Sequence, residues 1–275
     1  MKTREIDTQI KENSNILILA DYSDGNMAAI YFAMRYLYRP GSLVHLIQTW
    51  QKPNFGSSMV RDLSPMLENI ATSELNNLKK YLQSRYSMPD DQIILISFEG
   101  DLTTFFKTAT YTSQHWQVVL GSPNYENFLL RKNRMNEVID NVSEDLFVLT
   151  GLDKDNSISE AFMLADTPKT NSSNLSVLKK IAISEKPNIS VCLSSLFESQ
   201  EVRKRRVLPL IENCKGAKLI FSQVEKGEGQ KEIQEFLRSG KSKLIVFEKN
   251  LNRKFQNGIK SCLDSWLLKS KGIRV

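Results

Sequence analysis

The sequence predicts an α/β protein of two tandem domains, each a five-stranded, open, parallel sheet flanked by helices. Three observations carry this. Short apolar runs alternate with segments whose apolar residues recur at helical spacing, the pattern of strand–helix–strand units with right-handed crossovers. The runs are continuous, as strands buried in parallel sheets require. The triplet Leu19-Ala20-Asp21, which closes the first run, returns as Leu164-Ala165-Asp166, 145 residues later. That distance is too long for a solenoid unit, so it points to two copies of one small domain. The boundary falls in the polar stretch Thr150 to Ser159, which contains Gly151 and Asp153-Lys154-Asp155-Asn156, and divides the chain into 1–150 and 151–275.

In the first half, Asn15 to Ala20 reads as a buried strand. Ser23 is placed to cap the next helix, on which Met27, Ile30, Tyr31, Met34 and Leu37 follow at helical spacing until Pro40-Gly41 stops it. Ser42 to Thr49 is a second strand and Trp50 to Val60 a polar loop. Ser64-Pro65 opens a helix that runs to about Arg85, with Pro at the first helical position. Gln92 to Phe98 is a third strand, Leu102 to Ser113 a helix, and Trp116 to Leu120 a fourth strand. A loop from Gly121, a short helix Lys132 to Asn141 and a fifth strand Asp145 to Leu149 complete the unit.

The second half repeats this with shorter connections. Strands are expected at Glu160 to Ala165, Asn188 to Leu193, Ala217 to Ser222, Lys243 to Phe247 and Ile273 to Val275. Helices are expected at Asn171 to Ser184, Ser199 to Asn213, Gly229 to Arg238 and Lys254 to Lys271, the last closed by Gly272.

The composition narrows the function classes. With 41% hydrophobic and 25% charged residues over 275 positions, the chain reads as an ordinary soluble protein with room for two domains. No apolar run approaches the ~18 residues of a membrane helix, so no membrane partner is expected. The charged start Met1-Lys2-Thr3-Arg4-Glu5 lacks the apolar region of a signal peptide, and a cytoplasmic location follows as the default. Cys192, Cys214 and Cys262 form no Cys-x-x-Cys pair and are odd in number, which fits small buried hydrophobes rather than a disulfide framework. His45 and His115 stand 70 residues apart without paired ligand spacing, so no metal site is expected. Residues 1–150 hold 14 Lys and Arg against 17 Asp and Glu, and residues 151–275 hold 23 against 14. A basic second half suits an acidic partner, or docking on the acidic first half.

The element order resembles the universal stress protein family, in its tandem form. The resemblance rests on Ile16-Leu17-Ile18-Leu19-Ala20-Asp21-Tyr22-Ser23, which matches the family's first strand and Asp-x-Ser turn. It rests also on Val118-Val119-Leu120-Gly121-Ser122, which matches the fourth strand and the glycine opening the nucleotide loop. Glu137-Val138-Ile139-Asp140 leading to Leu146-Phe147-Val148-Leu149 matches the fourth helix and fifth strand. The match covers nearly all of 15–149; for 160–275 it rests on the repeated triplet and the element order. It implies an adenine-nucleotide alpha-hydrolase-like, Rossmann-like fold. It also implies a pseudo-dimer in which the two halves pair through Leu146 to Leu149 and Ile273 to Val275.

Nucleotide-binding members carry Gly-x2-Gly-x9-Gly-[Ser/Thr], because glycines admit the phosphates to backbone N–H groups and the hydroxyl adds a contact at a helix N-terminus. On Gly121, that spacing puts Asn124 at the second glycine, Arg134 at the third and Met135 at the hydroxyl position. Asn tolerates a left-handed backbone, but Arg134 and Met135 place bulk where phosphates would lie. In the second half the same positions are Glu248, Leu251, Ser261 and Cys262, and no cradle is readable.

The candidate small-molecule site is therefore Asp21, Ser23, Gly121, Ser122, Asn124 and Arg134, with Asp21 as acceptor from a ribose or adenine by the family's pattern. The other use of Asp21 is to bond the turn after its strand, and that of Ser23 is to cap the helix. Arg131, Lys132 and Arg134 could reach an anion with side chains in place of backbone. Paired carboxylates, a nucleophile elbow and a Walker loop are all missing, so no catalytic residue is expected.

The leading expectation is a stress-response or regulatory protein without ATP binding of the usual kind and without a cofactor. It would self-associate and act on a protein partner still to be found. The first alternative is an adenine-nucleotide binder, for ATP or AMP, or a slow ATPase, with its remnant site in the first half only. The second is a binder of nucleic acid or an acidic partner through the basic second half, whose sharpest feature is Arg203-Lys204-Arg205-Arg206. Four successive helical residues point around the helix and cannot all face one phosphate backbone.

Overall fold

The structure, a computed structural model, describes residues 15–20, 24–51, 62–112, 115–121, 142, 145–149, 157–165, 172–194, 200–224 and 243–247. In the first half β1 (Asn15–Leu19) leads to α1 (Asp24–Phe32), which ends in a π-helical turn over Ala33–Leu37. There the Tyr38 N–H donates to the Ala33 carbonyl, five residues back, and Pro40 with Gly41 at φ 93° ends the helix as expected. Then follow β2 (Leu43–Trp50), α2 (Ser64–Tyr86), β3 (Ile93–Glu99), α3 (Leu102–Phe106), α4 (Ala109–Thr112), β4 (Trp116–Gly121) and β5 (Asp145–Leu149). The single helix expected over Leu102 to Ser113 is two short ones. The Thr108 hydroxyl donates to the Phe105 carbonyl, and the Lys107 N–H donates only three residues back, so the helix closes before α4 begins.

The second half continues with β6 (Glu160–Ala165), α5 (Ser172–Ser184), β7 (Asn188–Ser194), α6 (Gln200–Asn213), β8 (Lys218–Val224) and β9 (Lys243–Phe247). The helices expected over 132–141, 229–238 and 254–271 and the strand over 273–275 lie outside the described residues.

The described strands form one nine-stranded sheet in the order β3-β2-β1-β4-β5-β9-β6-β7-β8. Within each half every pairing is parallel. The first half runs 3-2-1-4-5, and β8-β7-β6-β9 repeats its first four places. The α/β class and the parallel, helix-flanked sheet are as expected. The seam is not. Leu146–Leu149 pairs antiparallel with Leu244–Phe247, Leu146 opposite Phe247 and Leu149 opposite Leu244. β4 holds the other side of β5, so β9 takes the place expected for Ile273 to Val275, which lie outside the described residues. Among the described residues the second half adds four strands to the sheet it shares with the first, and the fifth strand expected there lies outside them.

One face of that sheet carries a continuous core spanning both halves. Ile16, Ile18, Val44, Val119 and Phe147 from the first half belong to the same buried cluster as Ala161, Met163, Ile189 and Val246 from the second. Alternate residues along each strand supply it, and Phe32 of α1 closes it against Phe147 with ring centroids 5.4 Å apart. The helices at the seam are joined by polar contacts. Glu185, after α5, pairs with Arg35 at 2.6 Å and accepts from the Tyr36 hydroxyl. Burial, then that bond, push the Tyr36 phenol well above its usual range. Lys180 Nζ donates to the Tyr36 carbonyl at 2.7 Å, a cation on the end of the α1 turn. Arg39 Nη2 donates to Ser176 Oγ at 3.4 Å.

Replacing Glu185 by alanine leaves the buried Tyr36 hydroxyl without its acceptor. Arg35, partly exposed, regains water. The expected loss is about 2 kcal/mol, in the range of hydrogen bonds to charged groups. A lowered urea midpoint at unchanged slope would show it; an unmoved midpoint would mean the contact contributes nothing.

Candidate functional site

In a parallel sheet, ligand sites lie at the carboxyl ends of the strands, beside the turn in strand order. In the first half β1 and β4 are neighbours there. Ala20, directly after β1, is buried and donates its N–H to the Ile47 carbonyl at 2.8 Å. Gly121 is the last residue of β4, half-buried and paired with Leu149. The structure thus sets Gly121 at the expected edge. Asp21, Ser23, Ser122, Asn124 and Arg134 lie outside the described residues, as do Asp166, Arg131 and Lys132.

The rest of that edge is built from buried or bonded polar groups. Asn26 in the first turns of α1 and Thr49 near the end of β2 are buried. Trp50 Nε1 donates to Ser97 Oγ at 3.0 Å, and the Gly100 N–H donates to the Trp50 carbonyl at 2.9 Å. Asp101 caps α3, accepting from the Thr104 N–H at 2.6 Å, and that bonding holds its carboxyl below the usual range. The carboxylate is committed to the helix end and is poorly suited to act as a base.

His45 and Cys214 are equally quiet. Burial lowers His45 to about 4, so it is neutral at pH 7. Burial raises the Cys214 thiol to about 11, the inert buried hydrophobe expected from its sequence context. No group of three or more His, Cys, Asp or Glu that could hold a metal occurs among the described residues. No helix among them is long and apolar enough to cross a membrane.

One polar pair has no signal in the sequence. Asn174 of α5 donates through Nδ2 to Asp145 Oδ1 at 3.1 Å, both residues buried. Asp145 opens β5, and because β5 runs antiparallel to β9, that start lies at the carboxyl edge of the second half. The first half therefore supplies a carboxylate to the second half's strand ends. Arg203 to Arg206 lie on α6 as predicted.

No family model matches the chain, and no curated protein matches it. Solved structures do. A universal stress protein from Archaeoglobus fulgidus DSM 4304 superposes with a TM-score of 0.51 at 10% identity, over 86% of this chain and 97% of that one. The cytoplasmic domain of a prokaryotic cation chloride cotransporter gives 0.41 at 9% identity, over 92% and 99%. A functionally unknown protein from Pseudomonas aeruginosa PAO1 gives 0.46 at 11%, over 92% and 98%. At such identities the first likeness speaks for the fold, and the lower scores of the other two carry no argument.

Proposed function

We propose that this chain is a cytoplasmic stress-response or regulatory protein of the tandem universal stress type, acting by binding and not by catalysis. The observation that carries this is the strand order 3-2-1-4-5 of the first half with its first four places repeated in the second, in a chain that covers 97% of the Archaeoglobus fulgidus protein. The inert state of His45, Cys214 and Asp101 supports a non-catalytic reading.

Nucleotide binding of the usual kind is not part of the proposal. Arg134 and Met135 stand at the spacing where the phosphate loop needs glycine and a hydroxyl, and Glu248 stands at the first glycine of the second copy. A carboxylate there repels phosphate. The alternative, an ATP or AMP site in the first half, would use Asp21, Ser23, Gly121, Ser122, Asn124 and Arg134. Gly121 at the end of β4 is what favours it.

The two readings separate on freshly purified protein. The 260/280 nm absorbance ratio should be that of protein alone, and mass spectrometry of the heat-released fraction should find no adenine nucleotide. A stoichiometric nucleotide would overturn the leading reading and establish the alternative.

A further inference from the structure

His45 of β2 sits on the sheet face that α3 and α4 cover. It is 4% exposed, and neither ring nitrogen has a hydrogen-bond partner among the described residues. Its ring meets Trp116 of β4 edge-to-face, centroids 4.6 Å apart at 81°. Trp116 in turn stacks on Tyr111 of α4 at 5.7 Å and 6°, and donates Nε1 to the Tyr111 carbonyl at 2.8 Å. Tyr111 packs on Phe105 and Phe106 of α3. Helices of five and four residues do not hold themselves together. They dock through this aromatic column, whose far end is the imidazole.

The sheet neighbours of His45 are Leu17 in β1 and Ile94 in β3. With Trp116 from β4, they present no charge to the ring. The Tyr111 phenol is the titratable group within the column, and Asp101 is bonded to the end of α3. Burial alone acts on the imidazole.

We propose that His45 is an acid-operated latch: proton uptake by its imidazole breaks the His45–Trp116–Tyr111 column and releases α3 and α4 from the sheet. A neutral imidazole can rest an N–H on an aromatic face. An imidazolium brings a second N–H and a full charge to a place where, among the described residues, no carboxylate lies against the ring, which is costly without compensation.

The sign follows from the two states. Docked, the imidazole titrates at about 4; released into water, near its ordinary ~6.5. Above 6.5 both states are neutral and docking is at full strength. Between 6.5 and 4 only the released state takes the proton, so docking weakens as pH falls. Below 4 both carry it and this group causes no further loss. At pH 5 the released-to-docked ratio should stand about 30-fold above its value at pH 8.

Hydrogen exchange read by mass spectrometry, corrected for intrinsic rates, tests this. Peptides covering Leu102–Thr112 should lose about 30-fold protection from pH 8 to pH 5, while Ser172–Ser184 keeps its own. In His45→Leu, and independently in His45→Gln, the 102–112 protection should not depend on pH. Flat protection in the native protein, the same fall in either neutral variant, or an equal fall across Ser172–Ser184 would overturn the latch.

Discussion

Replacing Phe147 by alanine is expected to cost about 3–5 kcal/mol and to leave a single unfolding transition. Phe147 is fully buried in β5, the strand at the seam, where it pairs with Val119 of β4 on one side and Val246 of β9 on the other. Its ring lies against Phe32, also fully buried, and Phe32 lies against Tyr36, whose hydroxyl reaches Glu185 of the second half. A cavity there has little room to collapse, because β5 is held by both neighbours and α1 is held at the seam. Truncation therefore loses the transfer term and most of the cavity term together. Since one core cluster runs through both halves, the loss should be felt by the whole molecule. Scanning calorimetry would show one peak, displaced to lower temperature, with calorimetric and van't Hoff enthalpies in agreement. Two peaks with only one displaced would show that 1–150 and 151–275 unfold as separate domains, and the shared core would not be what holds them.

That experiment addresses the point at which sequence and structure part. The apolar runs locate the strands closely: Asn15–Leu19 where Asn15 to Ala20 is expected, Asp145–Leu149 and Lys243–Phe247 as predicted. Parallel strands joined by helices have few permitted orders, so the arrangement within each half follows from the element sequence. The seam depends on which run meets which across the chain, and the family likeness pointed to the wrong partner. The composition held a signal for the right one. Leu244, Ile245 and Val246 are apolar on successive positions and fully buried, as are Leu146 to Leu149. A strand apolar on both faces belongs inside a sheet, whereas edges carry charge or stay short. Neither run suits an edge, and pairing them with each other removes both edges.

The candidate site was less visible for a different reason. Its residues follow a motif at strand ends, and of the six only Gly121 falls among the described residues. The polar contacts across the seam, Glu185 with Arg35 and Tyr36, and Asn174 with Asp145, join residues far apart in the chain and close only where the halves meet. No spacing rule within one helix or loop reaches them. His45 shows the converse. It has no partner at a readable spacing in the sequence, and a lone histidine in an apolar strand says nothing of the aromatic column it ends.

Gly216→Ala is expected to destabilise the protein by about 3 kcal/mol, at the upper end for overpacking, although the residue is exposed. Gly216 lies in the turn between α6 and β8, where its backbone crosses the last turn of α5. A Cβ there would lie 2.3 Å from the Ala182 carbonyl oxygen and 3.1 Å from its carbon. The obstacle is backbone, so no side chain can rotate out of the way. The turn itself is fastened by Cys214 N–H to the Leu210 carbonyl at 2.9 Å, Ala217 N–H to Cys214 at 3.0 Å and Lys218 N–H to Pro187 at 3.1 Å. On the other side Ile181 and Ala182 are fully buried, which holds α5 in place. Relief requires moving one of these, and a shift of α5 carries Glu185 away from Arg35 and Tyr36 as well. The gain from restricting the unfolded chain, about 0.4–1 kcal/mol for Gly→Ala, is too small to offset this. Lys215→Ala, one residue earlier and exposed, should change stability by less than about 0.5 kcal/mol. Urea denaturation of both variants decides it: a Gly216→Ala midpoint matching that of Lys215→Ala would mean that the turn and α5 do not meet as closely as the packing requires.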